Sequence, residues 1–378
     1  MRFGIDASLA CGKMSGTGIS TMDLVQTLLA RDRTNTYYLY FRECCVTSNP
    51  LYQIDQQNVM KVLVDSRSAI FRILWSLSKA LRKDRVDVFL SPAFFLPLYG
   101  SRKWVVTFLD LSVYTLAKEW SRRDTFVDFI VMRLLFPRSL RKADHIVTIS
   151  NATQTDLLQL FPATIGKSSV IYPCFVTNRF DSAIEKGCTN EPVNLGKPFF
   201  LFVGVASPRK NLERVIRAFA RFKEDDRSGF RFVIAGDQWG QYSKRVLKPL
   251  VSKLTLQNWV EFHEYVSDAN LVHLYSSGYC LVYPSLYEGF GYPILEAMHF
   301  GLPVITSNMS SCPEVGGDAA MYVNPLSEAE IAEAMRTITT NASLRRAFIS
   351  LGKARCEFFS REKLASAYLR LLEGLSES

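Results

Sequence analysis

The chain has 378 residues, 48% of them hydrophobic and 12% aromatic, enough for one large or two medium domains with substantial cores. No stretch approaches the roughly 18–20 consecutive apolar residues of a membrane-crossing helix. The net charge of +9 is uneven: residues 1–190 carry 24 basic and 16 acidic residues, against 21 and 20 in the remainder. That excess suits an anionic membrane surface, an anionic substrate or nucleic acid. Met1-Arg2-Phe3-Gly4-Ile5-Asp6 leads straight into a strand-like run with an acid inside it, so no signal peptide is expected. The eight cysteines show no C-x-x-C spacing, which fits a reduced, cytoplasmic protein.

In chain order, Phe3 to Ser8 reads as a first strand. A Gly-containing turn over residues 13–21 follows, with Gly16 and Gly18, before the helical pattern Leu24, Val25, Leu28, Leu29. Glycines between a first strand and a first helix mark the phosphate-approach point of doubly wound folds, though a flexible surface turn has the same composition. Tyr37 to Phe41 and Val59 to Val64 are further strands. Ala69 to Leu81 is a helix with Arg72, Lys79, Arg82 and Lys83 around its apolar face. Strands follow at Val86–Leu90, Trp104–Leu109, Ile146–Ile149 and Val170–Pro173, with Ser150 to Thr153 an N-cap before the helix Gln154–Phe161. Strands alternating with helices imply a parallel sheet. Ala117 to Lys142 is basic and amphipathic; it fits either an anionic membrane interface or a helix packed on the sheet with a solvated basic face.

The polar stretch near 181–197 reads as a linker. A second α/β unit starts with the strand Phe199 to Gly204, and the turn Val205-Ala206-Ser207-Pro208-Arg209-Lys210-Asn211 carries two adjacent cations before the helix Leu212–Phe222. Two cations at a strand-to-helix turn suit a diphosphate. The strand Phe232 to Gly236 comes next, then Val260 to Phe262 with its exit turn at Tyr265 and Val266, and a helix Asp268–Tyr275. The apolar run Cys280 to Tyr283 is then a buried strand. It enters Pro284-Ser285-Leu286-Tyr287-Glu288-Gly289-Phe290-Gly291, and Pro293 stands at a helix start that runs on through Glu296 and Met298. The loop amides and the helix N-terminus offer unpaired donors and positive partial charge. Glu288 and Glu296 flank them as acceptors. A ligand anionic in one part and rich in hydroxyls in another, such as a nucleoside diphosphate sugar, matches that arrangement; the plainer alternative is a turn with two solvated carboxylates. After a strand Val304–Thr306, helices at Glu328–Thr339, Ser343–Phe358 and Arg361–Leu375 complete the chain.

The segment from Tyr283 to Val304 resembles the E-x7-E region of retaining glycosyltransferases of family 4, the glycosyl transferases group 1, and the similarity extends over nearly the whole chain. The resemblance implies a GT-B fold: two Rossmann-like, doubly wound parallel-sheet domains facing across a cleft. The N-terminal acceptor domain would span residues 1–180, and residues 198–360 would form the nucleotide-sugar domain. The last helix, 361–378, would return to the first domain. It implies a metal-independent hexosyltransferase taking mannose or a related sugar from a GDP- or UDP-sugar to a growing glycan or lipid-linked saccharide, mannosyltransferase-like, in polysaccharide or lipopolysaccharide synthesis. A noncatalytic nucleotide-sugar-binding protein of the same fold is the alternative. The resemblance places Lys210, with Arg209, on the donor phosphates, Glu288 and the Gly289-Phe290-Gly291 amides on the transferred sugar, and Glu296 on the ribose. It puts Tyr265 and Val266 near the base, and Gly16 and Gly18 toward the diphosphate and acceptor. It also implies a cytoplasmic location with peripheral contact to the inner membrane face.

Two positions depart from the family pattern. Val205 stands where many relatives carry Arg, leaving Arg209 to supply the second charge. Leu109 stands where many carry His, before Asp110; Asp110 then either contacts acceptor or sugar, or caps its turn. No D-x-D occurs, and the four histidines lack metal-ligand spacing, so no metal is expected. No recognition-helix or aromatic-basic pattern supports nucleic-acid binding.

Overall fold

The computed structural model describes residues 1–10, 16–46, 49–66, 68–116, 126–177, 180–181, 197–226, 228–236, 242–264 and 266–377. The chain divides into two compact units, Met1–Cys174 with Phe359–Ser378, and Phe175–Phe358. Most of the stretch read as a linker lies outside the described residues.

The first unit is built on seven parallel strands: β1 (Arg2–Asp6), β2 (Thr36–Phe41), β3 (Val59–Leu63), β4 (Val86–Ser91), β5 (Ser101–Phe108), β6 (His145–Thr148) and β7 (Ser168–Val170). Their order is β3-β2-β1-β4-β5-β6-β7. The crossovers run to one side before β4 and to the other after it, so β1 and β4 flank the switch point. Near-continuous apolar runs such as Val105-Val106 and Phe89-Leu90 are what strands covered on both faces require. A cluster of Phe89, Trp104, Phe108, Phe136, Leu140 and Ile146 fills one face. Phe136 stacks on Phe94 at 4.9 Å and meets Phe108 edge-on at 5.3 Å. On the other face the helix Arg361–Glu377 packs against α1 (Gly16–Arg31), burying Leu364, Ala365, Tyr368 and Leu372. The Tyr368 and Thr107 hydroxyls lie 3.2 Å apart.

Three readings of this unit need correction. Gly16 and Gly18 do not form a turn ahead of α1; they belong to its first turn, with Gly16 exposed and Gly18 buried. The expected helix at 69–81 is longer and irregular. This helix, α2, comprises Ala69–Phe71, a π-turn Arg72–Ser76 and Leu77–Asp84. The extra residue of the π-turn rotates Arg72 inward. Its guanidinium bonds Asp6 through two nitrogens at 3.1 Å each and donates to the Val64 carbonyl at 2.8 Å. Arg72 is therefore a buried structural cation rather than part of a basic surface.

The basic amphipathic stretch is described only from residue 126. There the helix Phe126–Lys142 packs on the sheet through Phe136 and Leu140. Arg138 donates to the Leu96 carbonyl at 2.8 Å and the Pro97 carbonyl at 3.2 Å, Lys142 donates to the Pro97 carbonyl, and its ammonium sits 3.4 Å from the centre of the Trp104 ring. These cations are engaged inside the unit. Among the described residues no helix is long and apolar enough to cross a membrane.

The second unit carries six parallel strands: β8 (Phe199–Val203), β9 (Arg231–Ala235), β10 (Val260–His263), β11 (Cys280–Tyr283), β12 (Val304–Ser307) and β13 (Ala320–Val323). Their order is β10-β9-β8-β11-β12-β13, so the switch point lies between β8 and β11. Two helices start beside that switch point, α3 (Leu212–Asp225) after β8 and α4 (Tyr292–His299) after β11. β13, at the sheet edge beside β12, has no counterpart in the sequence reading.

Candidate functional site

β8 and β11 are parallel neighbours, paired through Cys280 with Phe200 and Leu281 with Leu201. Their carboxyl ends therefore emerge side by side at the switch point, where open α/β sheets bind ligands. The chain leaving β8 carries Arg209 and Lys210; the chain leaving β11 carries Glu288. The three side chains meet. Lys210 Nζ lies 2.6 Å from Glu288 Oε1 and Arg209 Nη1 lies 2.9 Å from Glu288 Oε2. Lys210 also donates to the Tyr283 hydroxyl, and Arg209 donates to the Tyr287 carbonyl at 3.1 Å.

Local chemistry explains why the two loops register. Asn211 adopts the left-handed conformation (φ 63°), which Asn tolerates better than most residues, and so ends the short turn Pro208–Lys210 and starts α3. Its amide donates to the Pro284 carbonyl at 3.0 Å and the Pro325 carbonyl at 2.6 Å, tying the β8 loop to the β11 loop. The Leu286 N–H closes the same seam on the Arg209 carbonyl at 2.8 Å. From the β12 side, Ser310 accepts from the Glu288 N–H at 3.1 Å and donates to the Glu288 carbonyl at 2.7 Å, while Ser311 donates to the Phe290 carbonyl at 2.7 Å. Gly291 has φ 112° and ψ 50°, a conformation only glycine adopts without strain, and it delivers the chain into α4 with Pro293 in the first turn.

Glu288 and Glu296 are each only 5% exposed, which excludes the reading of two solvated carboxylates. Burial alone would push the Glu288 carboxyl up, but the Lys210 and Arg209 charges outweigh it and hold it down at about 2. Burial and the Arg209 charge lower Lys210 to about 8, against the opposing pull of Glu288. At neutral pH the pair is ionised on both sides. Tyr283 stays a neutral phenol, held well above its ordinary value by burial and then by the Glu288 charge. Glu296, one helical turn inside α4, accepts from the buried Tyr275 hydroxyl at 2.6 Å.

The remaining candidates fall differently. Gly289 and Phe290 are buried in the loop beside Glu288, and Val266 is half-buried at the exit of β10. Tyr265 lies outside the described residues. Asp110, in the first unit, accepts from the Ser112 N–H at 3.0 Å and the Ser112 hydroxyl at 2.7 Å. It caps its turn, which is one of the two roles the sequence leaves open. Val205 is exposed, and Arg209 brings the second cation to the Glu288 carboxylate from four positions further on. Asn211, Tyr275 and Ser310 escaped sequence reasoning. Only Asn211 left a signal there, as an Asn between a short turn and a helix start. Among the described residues no group of three or more His, Cys, Asp or Glu side chains is placed to hold a metal ion.

The sequence profile described as "Glycosyl transferases group 1" matches residues 189–355. O-antigen chain mannosyltransferase B of Escherichia coli is 30% identical over 286 residues, 75% of this chain and 73% of that protein. The chain belongs to the group 1 glycosyltransferases. O-antigen chain mannosyltransferase RfbU of Salmonella typhimurium is 32% identical over 215 residues, 57% of this chain and 56% of that one. Among solved structures, the sucrose-phosphate synthase of Thermosynechococcus elongatus aligns over 99% of both chains with a TM-score of 0.75 at 19% identity. WaaG, a glycosyltransferase of lipopolysaccharide biosynthesis, aligns over 99% of this chain and 100% of its own with a TM-score of 0.69 at 17% identity. At those identities the likeness is one of fold, and the fold of this glycosyltransferase is GT-B. The profile covers the β8 loop, the Glu288 loop and α4, the same segments that the ion-paired cluster draws together.

Proposed function

We propose that this group 1 glycosyltransferase moves mannose or a related hexose from a GDP- or UDP-sugar onto a growing glycan or lipid-linked saccharide, with retention at the anomeric carbon. The sugar and the process are supported by the mannosyltransferases of O-antigen chains that it is similar to. A nucleotide-sugar donor is in keeping with the structural neighbour from Anabaena described in complex with UDP and glucose. The observation that carries the reading is the Arg209–Glu288–Lys210 cluster at the carboxyl ends of β8 and β11.

In the proposed reaction the C1–O bond to the diphosphate breaks and a bond from C1 to an acceptor oxygen forms. The acceptor proton passes to the departing phosphate, a front-face course that rests on the family resemblance. Negative charge grows on the leaving diphosphate, and groups aimed at developing charge are what lower a barrier. Lys210 and Arg209 are such groups, and they lead us to propose that no resident metal is needed. Before the donor binds, both cations are engaged by Glu288. A diphosphate brings more negative charge than one carboxylate, so it takes over the cations and leaves Glu288 to accept from sugar hydroxyls. Glu296, braced by Tyr275, takes the ribose. Peripheral contact with an anionic membrane is part of the proposal and rests on the basic excess of residues 1–190.

Turnover of GDP-mannose and UDP-hexoses by the pure protein, followed as released nucleoside diphosphate in chelator, tests this. Release from one donor by wild type and its loss in Glu288→Gln would support the assignment; no release from any donor in the presence of a lipid-linked saccharide acceptor would overturn it.

A further inference from the structure

The amino ends of the first unit's strands carry a cluster of arginines outside the Arg209–Glu288–Lys210 site. Arg2 opens β1, Arg102 lies near the start of β5, and Arg82 and Arg85 stand at the carboxyl end of α2. β1, β4 and β5 are neighbours, so these segments converge on one edge. The four guanidinium-bearing residues line a depression of about 640 Å³, and Asp87 is the one acid among its lining residues. That carboxylate is already engaged: it accepts from the Arg2 N–H at 2.9 Å and lies 3.9 Å from Arg102 Nη1. Arg82 and Arg85 form no ion pair among the described residues, and the lining carries three positive charges in excess.

The backbone around the depression is specifically shaped. Arg85 has φ 53° and ψ 51° at the end of α2, the left-handed position that helices usually give to Gly. A Gly there would close the helix with less strain, so the terminus itself does not call for an arginine. Gly100 has φ 115°, and a Cβ on it would fall 2.5 Å from the Ser78 carbonyl oxygen; the chain before β5 thus turns hard against α2 and walls the depression. Arg2 Nη1 is held by the Asp84 carbonyl at 3.2 Å, which fixes its guanidinium at the rim.

We propose that this depression binds a phosphate-bearing anion, at a second site distinct from the donor site. Arginine suits such a ligand, because its planar fork meets phosphate oxygens through two parallel bonds, and several forks converging on one volume select a multiply charged group. The site cannot be the donor site, because it lies at the strand amino ends, whereas the nucleotide-binding edge of such sheets is formed by the carboxyl ends. A soluble diphosphate and an anionic lipid headgroup share this chemistry.

Arginine modification separates the sources and locates the site. Wild-type protein is treated with phenylglyoxal alone, with pyrophosphate, and with phosphatidylglycerol vesicles, and the adducts are mapped by mass spectrometry. Slower modification of Arg82, Arg85 and Arg102 by pyrophosphate, with exposed Arg346 and Arg370 unaffected, assigns a soluble ligand. Protection by vesicles alone assigns a headgroup. Equal modification under all three conditions refutes the site. In parallel, Arg82→Gln/Arg85→Gly/Arg102→Gln should keep its fold, since all three positions are exposed and position 85 gains a residue suited to the left-handed conformation. It should bind the protecting ligand more than about tenfold more weakly, and its donor turnover in detergent with a soluble acceptor should match wild type. A variant that binds as tightly as wild type also refutes the site. Loss of turnover without loss of binding would contradict the independence of the two sites and leave the donor assignment untouched.

Discussion

Replacing Lys210 by Met removes one cation from a carboxylate that has two. Both ends of the Lys210–Glu288 pair are about nine-tenths buried, at 10% and 6% side-chain exposure, and 2.6 Å apart. Breaking a buried pair from one side costs roughly 3–5 kcal/mol, because the other charge is left without its partner. Arg209 remains 2.9 Å from the second oxygen, so the low end, about 3 kcal/mol, is expected. For a unit of this size that corresponds to a fall in Tm of about 6–12 °C. Glu288→Met should cost more, since it strands two cations. Lys210→Met/Glu288→Met strands only the partly exposed Arg209, so it should recover most of the stability, as buried pairs replaced by apolar groups commonly do. Activity should behave oppositely. Loss of a charge-assisted bond to the leaving phosphate, about 1.5–3 kcal/mol, lowers kcat/KM by roughly 10- to 150-fold in Lys210→Met. The double variant should be no better than the worse single. Thermal unfolding and nucleoside diphosphate release on the same preparations give both readouts. A double variant as unstable as the sum of the singles, or one that regains turnover, would refute the reasoning.

The same geometry sets four further outcomes. The basic limb of kcat/KM should fall near pH 8, because the ligand-free Lys210 loses its proton there rather than near 10.5; the limb of kcat should lie higher, since bound phosphate favours the cation. Glu288 is depressed from 4.5 to about 2, so its contribution to stability is complete above about pH 4.5 and is lost as pH falls toward 2; acid unfolding of Glu288→Gln, whose side chain cannot titrate, should show a correspondingly shallower pH dependence. Gly291→Ala forces an L-residue to φ 112°, costing about 1–3 kcal/mol and lowering kcat; thermal unfolding and single-turnover rates check it. Tyr275→Phe removes a 2.6 Å bond to Glu296 and should raise the donor KM more than it lowers kcat, read from steady-state kinetics with intact donor.

The repeating strand–helix pattern was readable because buried parallel strands are short apolar runs and several of their helices carry ordinary caps. Ser150 accepts from the Thr153 N–H, and Pro293 sits in the first turn of α4, where composition placed both. Arg72 was misplaced because a single π-turn shifts the helical register, and nothing local announces one. β13 escaped because its pairing with β12, not its own pattern, makes it a strand. At the site, residue types and spacing pointed to Lys210, Arg209, Glu288 and Glu296. Their mutual engagement was hidden, since contacts over 70 to 80 positions depend on the sheet order. The Asn211 tie between loops and the Tyr275 brace on Glu296 are of the same long-range kind.

The most direct test is calorimetric titration of GDP and UDP into wild type and Lys210→Met, on protein shown to be folded. Wild type should bind one of the two nucleotides, and the variant should bind it at least about tenfold more weakly. Equal affinity in the two proteins would contradict a donor phosphate seated on Lys210.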